Sequence, residues 1–407
     1  MKVIVVNCGS SSLKFKLFEM DDSSQQLAEG IVEIGQQSSK LTYSSHKMEP
    51  GQKVVRDFDA PNHTSALDQV ARVLLDPEVG LFSGAIQVDA VGHRVVHGGE
   101  KFSDSALITG NVKDVIRECI TLAPLHNPPN LAGIEACEKI FPGVPQVAVF
   151  DTAFHQTMPE HVYLYGLPYE LYERHHVRKY GFHGTSHEYV FRRAVELLGR
   201  PAEELRIVTC HLGNGSSITA VKQGKSYDTS MGMTPLEGVV MGTRTGDMDP
   251  AVVLYLMEIE RLDVAQTNTL LNKKSGLKGL SGVSNDLRAV MREADAGNHR
   301  ARAAIDIFCY RILKYIGAYA AAMGGLDAIV FTGGIGENAA AIRAQVLEPL
   351  AFLDLALDPA KNEQRGVETA ITTADSRVQA LVIPTNEELS IAQKARRAVT
   401  AASKNGT

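Results

Sequence analysis

Three short segments of the chain carry residues suited to holding an anion. They are Asn7-Cys8-Gly9-Ser10-Ser11-Ser12, His211-Leu212-Gly213-Asn214-Gly215-Ser216-Ser217 and Gly333-Gly334-Ile335-Gly336-Glu337-Asn338. Glycine lets backbone N–H groups approach a phosphate with no Cβ in the way, and Ser and Asn add donors. One such loop is ordinary turn chemistry. Three of them, each directly after an apolar run, point to a phosphorylated ligand. The P-loop pattern is not met, because Thr219 stands where Gly224-Lys225-Ser226 would need its leading glycine. Gly334-Ile335-Gly336-Glu337-Asn338-Ala339 fits a dinucleotide-binding turn. The chain after Ala339 is too short for the rest of such a domain, and no second strand ends in a ribose-binding acid. A dehydrogenase is therefore the weakest reading.

Ten of the 13 histidines lie between His93 and His211. His93/His97 and His183/His187 have the i,i+4 spacing of a helical zinc site, yet His97 runs into Gly98-Gly99 and His183 precedes a helix start, so neither pair shares a helical face. His183 sits where free helix N–H groups favour an anion, and its ring could donate to a transferring phosphoryl group or simply bond within its turn. Arg94 ends an apolar strand and Arg244 lies in the loop Met241-Gly242-Thr243-Arg244-Thr245-Gly246-Asp247, both places where α/β proteins set ligand-binding residues. Asp151 follows the strand Val147–Phe150. Glu387 could ligate a metal or favour the first turn of the last helix.

The elements that must position these residues are legible from periodicity. Val3–Val6, Leu13–Phe18, Gly30–Ile34 and Lys40–Ser44 read as a β-meander. The opening recurs about two hundred residues later, where Ile207–Cys210 leads through a Gly/Ser turn into Ile218–Val221. A second echo pairs 89–100 with 327–338. Such long-period similarity suggests a duplicated domain with a ligand between the halves. Asn127-Pro128 reads as a cap and first helical position, Thr185–Glu188 as a capping box of a helix that Gly199 closes, and Asp249-Pro250 as another start. Ile305, Phe308, Ile312, Ile316, Tyr319 and Met323 form a core stripe on one helix. Strands alternating with helices make an α/β protein. The last nine residues are polar and expected to fray.

Composition bounds the partners. The chain has 407 residues, 41 Lys+Arg against 47 Asp+Glu, a net charge of −6, no Trp and 35 Gly. It lacks the general basic footprint for nucleic acid or an anionic membrane. Neither a secretory apolar region nor a membrane span is expected, and the five scattered Cys fit neither a disulfide framework nor a CxxC metal site. A cytoplasmic location with reduced thiols is expected.

Taken in register, the segments resemble the acetokinase family. They are Asn7-x-Gly-Ser-Ser-Ser-x-Lys14, Gly92–Gly99, Phe150–His155, Tyr180–His187, His211–Gly215, Gly242–Asp247 and Phe331–Asn338, in order over nearly the whole chain. The resemblance implies a duplicated actin-like or sugar-kinase-like ATPase fold, α/β in class, with an interdomain active-site cleft. Its domains would be residues 1–151 plus 386–407 and residues 152–385. It implies ATP/ADP, Mg²⁺ (or Mn²⁺), acetate phosphorylation and a homodimer. Arg94 would bind the substrate carboxylate, Asp151 would be the catalytic acidic residue, and His183 and Arg244 would stabilise the transition state. Lys14, His211, Leu212, Gly213, Asn214, Gly215, Asp286, Leu287, Arg288, Gly334, Ile335, Gly336, Glu337 and Asn338 would line the nucleotide, and Asn7 and Glu387 would hold the metal. Val96, Leu125, Phe182 and Pro235 would surround the acetate methyl, with Val96 favouring acetate over propionate. A propionate or other short-chain carboxylate kinase is the nearest alternative, and an actin-like conformational ATPase without acceptor is the alternative of a different class.

Overall fold

A computed structural model describes residues 1–21, 24–35, 38–59 and 62–405. The chain divides into two compact units, Met1–Ala153 with Asn386–Thr407, and Phe154–Thr385. Apolar residues at every second position produce a sheet in each unit, because alternate side chains point to opposite faces.

In the first unit the strands are β1 (Lys2–Cys8), β2 (Ser12–Glu19), β3 (Gln25–Glu33), β4 (Ser39–Ser45), β5 (Val54–Phe58), β6 (Ala90–Val95), β7 (Ala106–Leu107) and β8 (Gln146–Phe150). Their order across the sheet is β5-β4-β3-β2-β1-β6-β8-β7. Ile4, Val6 and Cys8 pack on one face with the helices His63–Leu74 and Asn127–Ile140. Val3 and Val5 face Ile391, Ala392 and Ala395 of the last helix, Glu387–Asn405. That helix lies close over β6, since a Cβ on Gly92 would come within 2.8 Å of Ile391 Cγ2.

The second unit has β9 (Arg206–Leu212), β10 (Ser216–Lys222), β11 (Lys225–Thr229), β12 (Ala328–Thr332), β13 (Thr369–Ala370) and β14 (Gln379–Val382), ordered β11-β10-β9-β12-β14-β13. Val208, Cys210 and Leu212 face the long helix His299–Met323, whose Ile305, Phe308, Ile312 and Ile316 are buried. Ile207 faces Val190, Phe191 and Ala194 of the helix Gly184–Leu198. The two cores repeat one topology. β1 is antiparallel to β2 and parallel to β6, just as β9 is antiparallel to β10 and parallel to β12. The duplicated α/β pattern read from the sequence is what the sheets display.

Local expectations needed four corrections. The strand expected at Gly30–Ile34 begins five residues earlier, at Gln25, and ends at Glu33, and β5 had no counterpart in the sequence reading. The helix over 127–140 is capped by His126, and Asn127 is its first residue, since the Asn127 amide is spent on the backbone of His97 and Ile116. No capping box forms at 185–188. His183 itself is the N-cap, in the left-handed region at φ 57°, while the Thr185 hydroxyl is buried with no partner among the described residues and Glu188 pairs with Arg192. The final helix runs to Asn405 with Ala398 and Val399 packed on the core, so the helix extends further than the polarity of its end suggested, and the last two residues lie outside the described set.

All five cysteines are free and buried, and no described helix is long and apolar enough to cross a membrane.

Backbone conformation sets the entry to the Gly184–Leu198 helix. Gly181 has φ 76°, and a Cβ there would stand 2.3 Å from Thr229 Cγ2 and 2.8 Å from His155 Cδ2. Both the positive φ and the lack of space demand glycine. Gly181→Ala should therefore destabilise the protein by about 1–3 kcal/mol through overpacking alone, read as a lower urea midpoint; an unchanged midpoint would show that the turn tolerates a side chain.

Candidate active site

In the first unit the chemistry gathers at the carboxyl ends of parallel strands. Arg94 on β6 and Asp151 just after β8 are neighbours because those strands pair, Arg94 opposite Val149. Arg94 Nε donates to Asp151 Oδ1 at 3.0 Å and Oδ2 at 3.2 Å, and Nη2 donates to Oδ2 at 2.7 Å. The Asp151 side chain is 1 % exposed and that of Arg94 23 %. Burial works against the Arg94 charge, but Asp151, Glu387 and Glu388 outweigh it and hold the guanidinium above its ordinary pKa. Both carboxylate oxygens of Asp151 are thus occupied by one edge of the guanidinium.

Glu387 opens the last helix, and its Oε2 is buried with no partner among the described residues. Burial raises its carboxyl to about 7, against the pull of Arg94 and with a further push from Asp151 and Glu388. An orphaned carboxylate oxygen of this kind fits a divalent cation, which prefers hard oxygen ligands. Asn7, on β1, pairs in register with Lys14 on β2. Lys14 acts electrostatically on Glu387, so it belongs to the unit of Asn7 and Glu387 and not to the unit carrying the nucleotide-type loops.

Two asparagines fix these strand ends: Asn127, read from the sequence only as a helix cap, and Asn130, which was not singled out. Val96 N donates to Asn130 Oδ1 at 3.0 Å, and Asn130 Nδ2 donates to Cys8 O at 2.8 Å. His97 N donates to Asn127 Oδ1 at 3.1 Å. The run Asn127-Pro128-Pro129-Asn130 was the available signal; two amides spaced by a helix-starting proline pair can serve backbone beyond the helix. Val96 is buried, whereas Leu125 is 57 % exposed.

In the second unit His183, Arg244 and Gly215 meet. A Cβ on Gly215 would lie 3.5 Å from Arg244 Nη1 and 3.6 Å from His183 Nε2, so both side chains close over the glycine. Arg244 is partly buried, which pulls its pKa below the ordinary value, and its Nη1 donates to Pro235 O at 3.1 Å. His183 stacks on His211 with ring centroids 4.3 Å apart. Phe182 is buried, and its carbonyl accepts from His155 Nε2 at 3.0 Å.

A cleft of about 900 Å³ in the same unit is lined by Gly213 and Asn214, by Asp286, Leu287 and Arg288, and by Gly334, Ile335 and Asn338. The loops are tied together. Gly242 N donates to Asn214 O at 3.1 Å, and Asn285 Nδ2 donates to Asn214 Oδ1 at 3.0 Å. Gly334 has nothing near its absent Cβ and opens on the cleft, whereas Gly333, at φ 75°, would press a Cβ against Leu212 O at 2.7 Å. Glu337 does not line the cleft. Its Oε1 accepts from Gly333 N at 2.9 Å and Thr385 N at 3.1 Å, closing the start of its own helix. Arg365, Arg292 and Asn285 also line the cleft and are not among the residues expected from the sequence.

Comparisons with known proteins agree with one another. The acetokinase family pattern matches residues 2–393. Acetate kinase of Desulfitobacterium hafniense (strain DSM 10664 / DCB-2) is 56% identical over 393 residues, 96% of this chain and 98% of that protein. Acetate kinase of Methanosarcina acetivorans is 56% identical over 394 residues, 97% of this chain and 96% of that protein. Among solved structures, Porphyromonas gingivalis acetate kinase superposes with a TM-score of 0.93 at 52% identity, covering 98% of this chain and 99% of that one. A propionate kinase from Francisella tularensis gives 0.89 at 44% identity, covering 97% and 99%. With the match spanning both sheets and every loop described above, the chain belongs to the acetokinase family.

Proposed function

We propose that this protein is an acetate kinase, transferring the γ-phosphoryl group of ATP reversibly to acetate in direct in-line fashion. The observation that carries this reading is the Arg94–Asp151 pair: a guanidinium locked in place yet still 23 % exposed, in a unit whose partner unit carries the nucleotide-type cleft. An ATPase with no acceptor has no need of it. Carboxyl groups titrate at about 4, so acetate arrives deprotonated and no general base is required. The remaining task is to neutralise charge while two anions approach.

In this reading Arg94 binds the acetate carboxylate, and Val96, Leu125, Phe182 and Pro235 bound the methyl group. His183 and Arg244 face the phosphoryl oxygens, where donors aimed at developing charge lower the barrier. Lys14, His211–Gly215, Asp286–Arg288 and Gly334–Asn338 serve the nucleotide, with Glu337 acting from behind by shaping its helix start. Asp151 orients Arg94 and does not abstract a proton, because both its oxygens already accept from the guanidinium. Glu387 and Asn7 would hold Mg²⁺, which when bound neutralises phosphate oxygens.

We also propose a homodimer, in the cytoplasm, joined through the helix Pro250–Ile259. None of its residues is buried, and Leu254 (70 %), Tyr255 (60 %) and nearby Val264 (77 %) are exposed. An apolar helix left open in this way is a surface for a second copy.

Incubation with ATP and hydroxylamine, with acetate, propionate or no acid, tests the activity. Acyl hydroxamate should form with acetate and to a lesser degree with propionate, since one methylene is worth only about 10–200-fold; ADP release with no hydroxamate in any arm would mean an ATPase without acceptor. Asp151→Asn should lower kcat by about 10²-fold or more even at saturating Mg²⁺, the scale of losing one preorganised charge contact, whereas near-normal turnover would remove Asp151 from the site. Tyr255→Asp should convert the dimer to monomer in light scattering; a mass unchanged from the dimer would place the interface elsewhere.

A further inference from the structure

The His183/His187 pair, rejected as a zinc site, converges on one hydroxyl. Ser217 Oγ lies 2.9 Å from His183 Nδ1 and 2.7 Å from His187 Nε2. His187 Nδ1 in turn lies 2.7 Å from Thr209 Oγ1. Strand parity explains the assembly. Thr209 and His211 on β9 share a face with Ser217 and Thr219 on β10, because Thr209 pairs with Thr219 and His211 with Ser217. That face is covered by the Gly184–Leu198 helix, which supplies Ser186 and His187. His187, Thr209 and Ser217 are all fully buried.

The direction of the hydrogen bonds can be worked out. His187 is buried beside His155 and His211, which holds it neutral, so it carries one ring proton. The Thr209 hydroxyl can donate to His187 Nδ1 at 2.7 Å or to Thr219 O at 3.5 Å. The second distance is beyond the range of a good O–H···O bond. Thr209 therefore donates to His187 Nδ1, which puts the His187 proton on Nε2. His187 Nε2–H then donates to Ser217 Oγ, and the Ser217 hydroxyl donates to His183 Nδ1. The proton of His183 is left on Nε2, the nitrogen that faces Gly215 alongside Arg244 Nη1.

We propose that Thr209, His187 and Ser217 form a one-way hydrogen-bond relay that fixes His183 as the neutral Nε2–H tautomer, so that an uncharged imidazole presents its proton to the transferring phosphoryl group. The last clause rests on the kinase reading; the tautomer does not. His183 is additionally held by its stack on His211, whose Nδ1 is bonded to Ser186 Oγ at 2.8 Å. A protonated His183 would need Ser217 to accept on both sides and leave its own buried hydroxyl proton stranded. Thr209, His187 and Ser217 are positioning residues; only His183 meets the substrate.

Nitrogen-15 NMR of histidine-labelled full-length protein near neutral pH reads the tautomer directly, with the His183 signals assigned by their loss in His183→Gln. The wild type should show a protonated Nε2 and a bare Nδ1. Thr209→Val, which keeps the shape and removes the donor, should shift His183 toward the Nδ1–H form. Its kcat should fall by about 10²-fold, the lower end of the scale of losing one aligned donor, with KM for both substrates little changed. Thr209→Ser should restore both the tautomer and kcat. A wild-type His183 protonated on Nδ1, or on both nitrogens, would overturn the relay, and that measurement stands even if Thr209→Val fails to fold. So would a Thr209→Val protein with tautomer and kcat unchanged, or a Thr209→Ser protein as impaired as the valine variant. If no hydroxamate forms in any arm, the kinase reading fails while the tautomer spectrum still decides the relay.

Discussion

The charge at the first unit's strand ends is held in place by one ion pair, Arg94 with Asp151. A carboxylate substrate needs a cation held in one place, and burial works against the charge of a guanidinium. Asp151 resolves this by occupying Nε and Nη2 of Arg94. Breaking such a pair by removing one partner leaves an uncompensated buried charge and costs about 3–5 kcal/mol, so the geometry is held by electrostatics and not by packing alone. Parallel pairing of β6 with β8 puts the two residues side by side. Asn127 and Asn130 then pin the chain leaving β6 to the helix behind it.

The second unit solves a related problem with the same topology. Its β9–β10 turn and its 333–338 helix line the cleft, and the residues beside them are set by which face of β9 they occupy. Val208, Cys210 and Leu212 of β9 build the core against His299–Met323. Thr209 and His211 of the same strand face the other helix, together with Ser217 and Thr219 of β10. A polar ladder buried on one face of a sheet is costly unless every member is bonded. Here the hydroxyls and imidazoles satisfy one another, and the cost of burying them is repaid as fixed orientation.

Much of this was legible without coordinates. Apolar periodicity located most of the strands, the core stripe of the long helix and the repeat of one opening in two halves. Glycine-rich turns after strands marked the loops that line the cleft, and the segments in register marked the family. The departures share a cause. Thr185–Glu188 looks like a capping box, but Gly181 and His183 both take positive φ, so the helix is entered by backbone geometry and the box never closes. Asn127 looks like a cap, but strand ends elsewhere in the sequence claim its amide. Glu337 looks like a nucleotide contact from its motif, yet folds back on its own helix.

What the sequence by itself determined was the set of chemical groups and the elements that carry them, because periodicity, turn chemistry and charge are local properties. It also showed how little the net charge of −6 says about the ligand, since Arg94, Arg244 and His183 are local exceptions to it. The tertiary structure alone decided which groups meet. That Asp151 would take one edge of Arg94, that Asn130 would reach back to Cys8, and that His183 and His187 would share Ser217 follow from strand order and sheet parity over separations of 30 to 122 residues. Hydrogen-bond partners at such distances are chosen by packing, which no local pattern encodes.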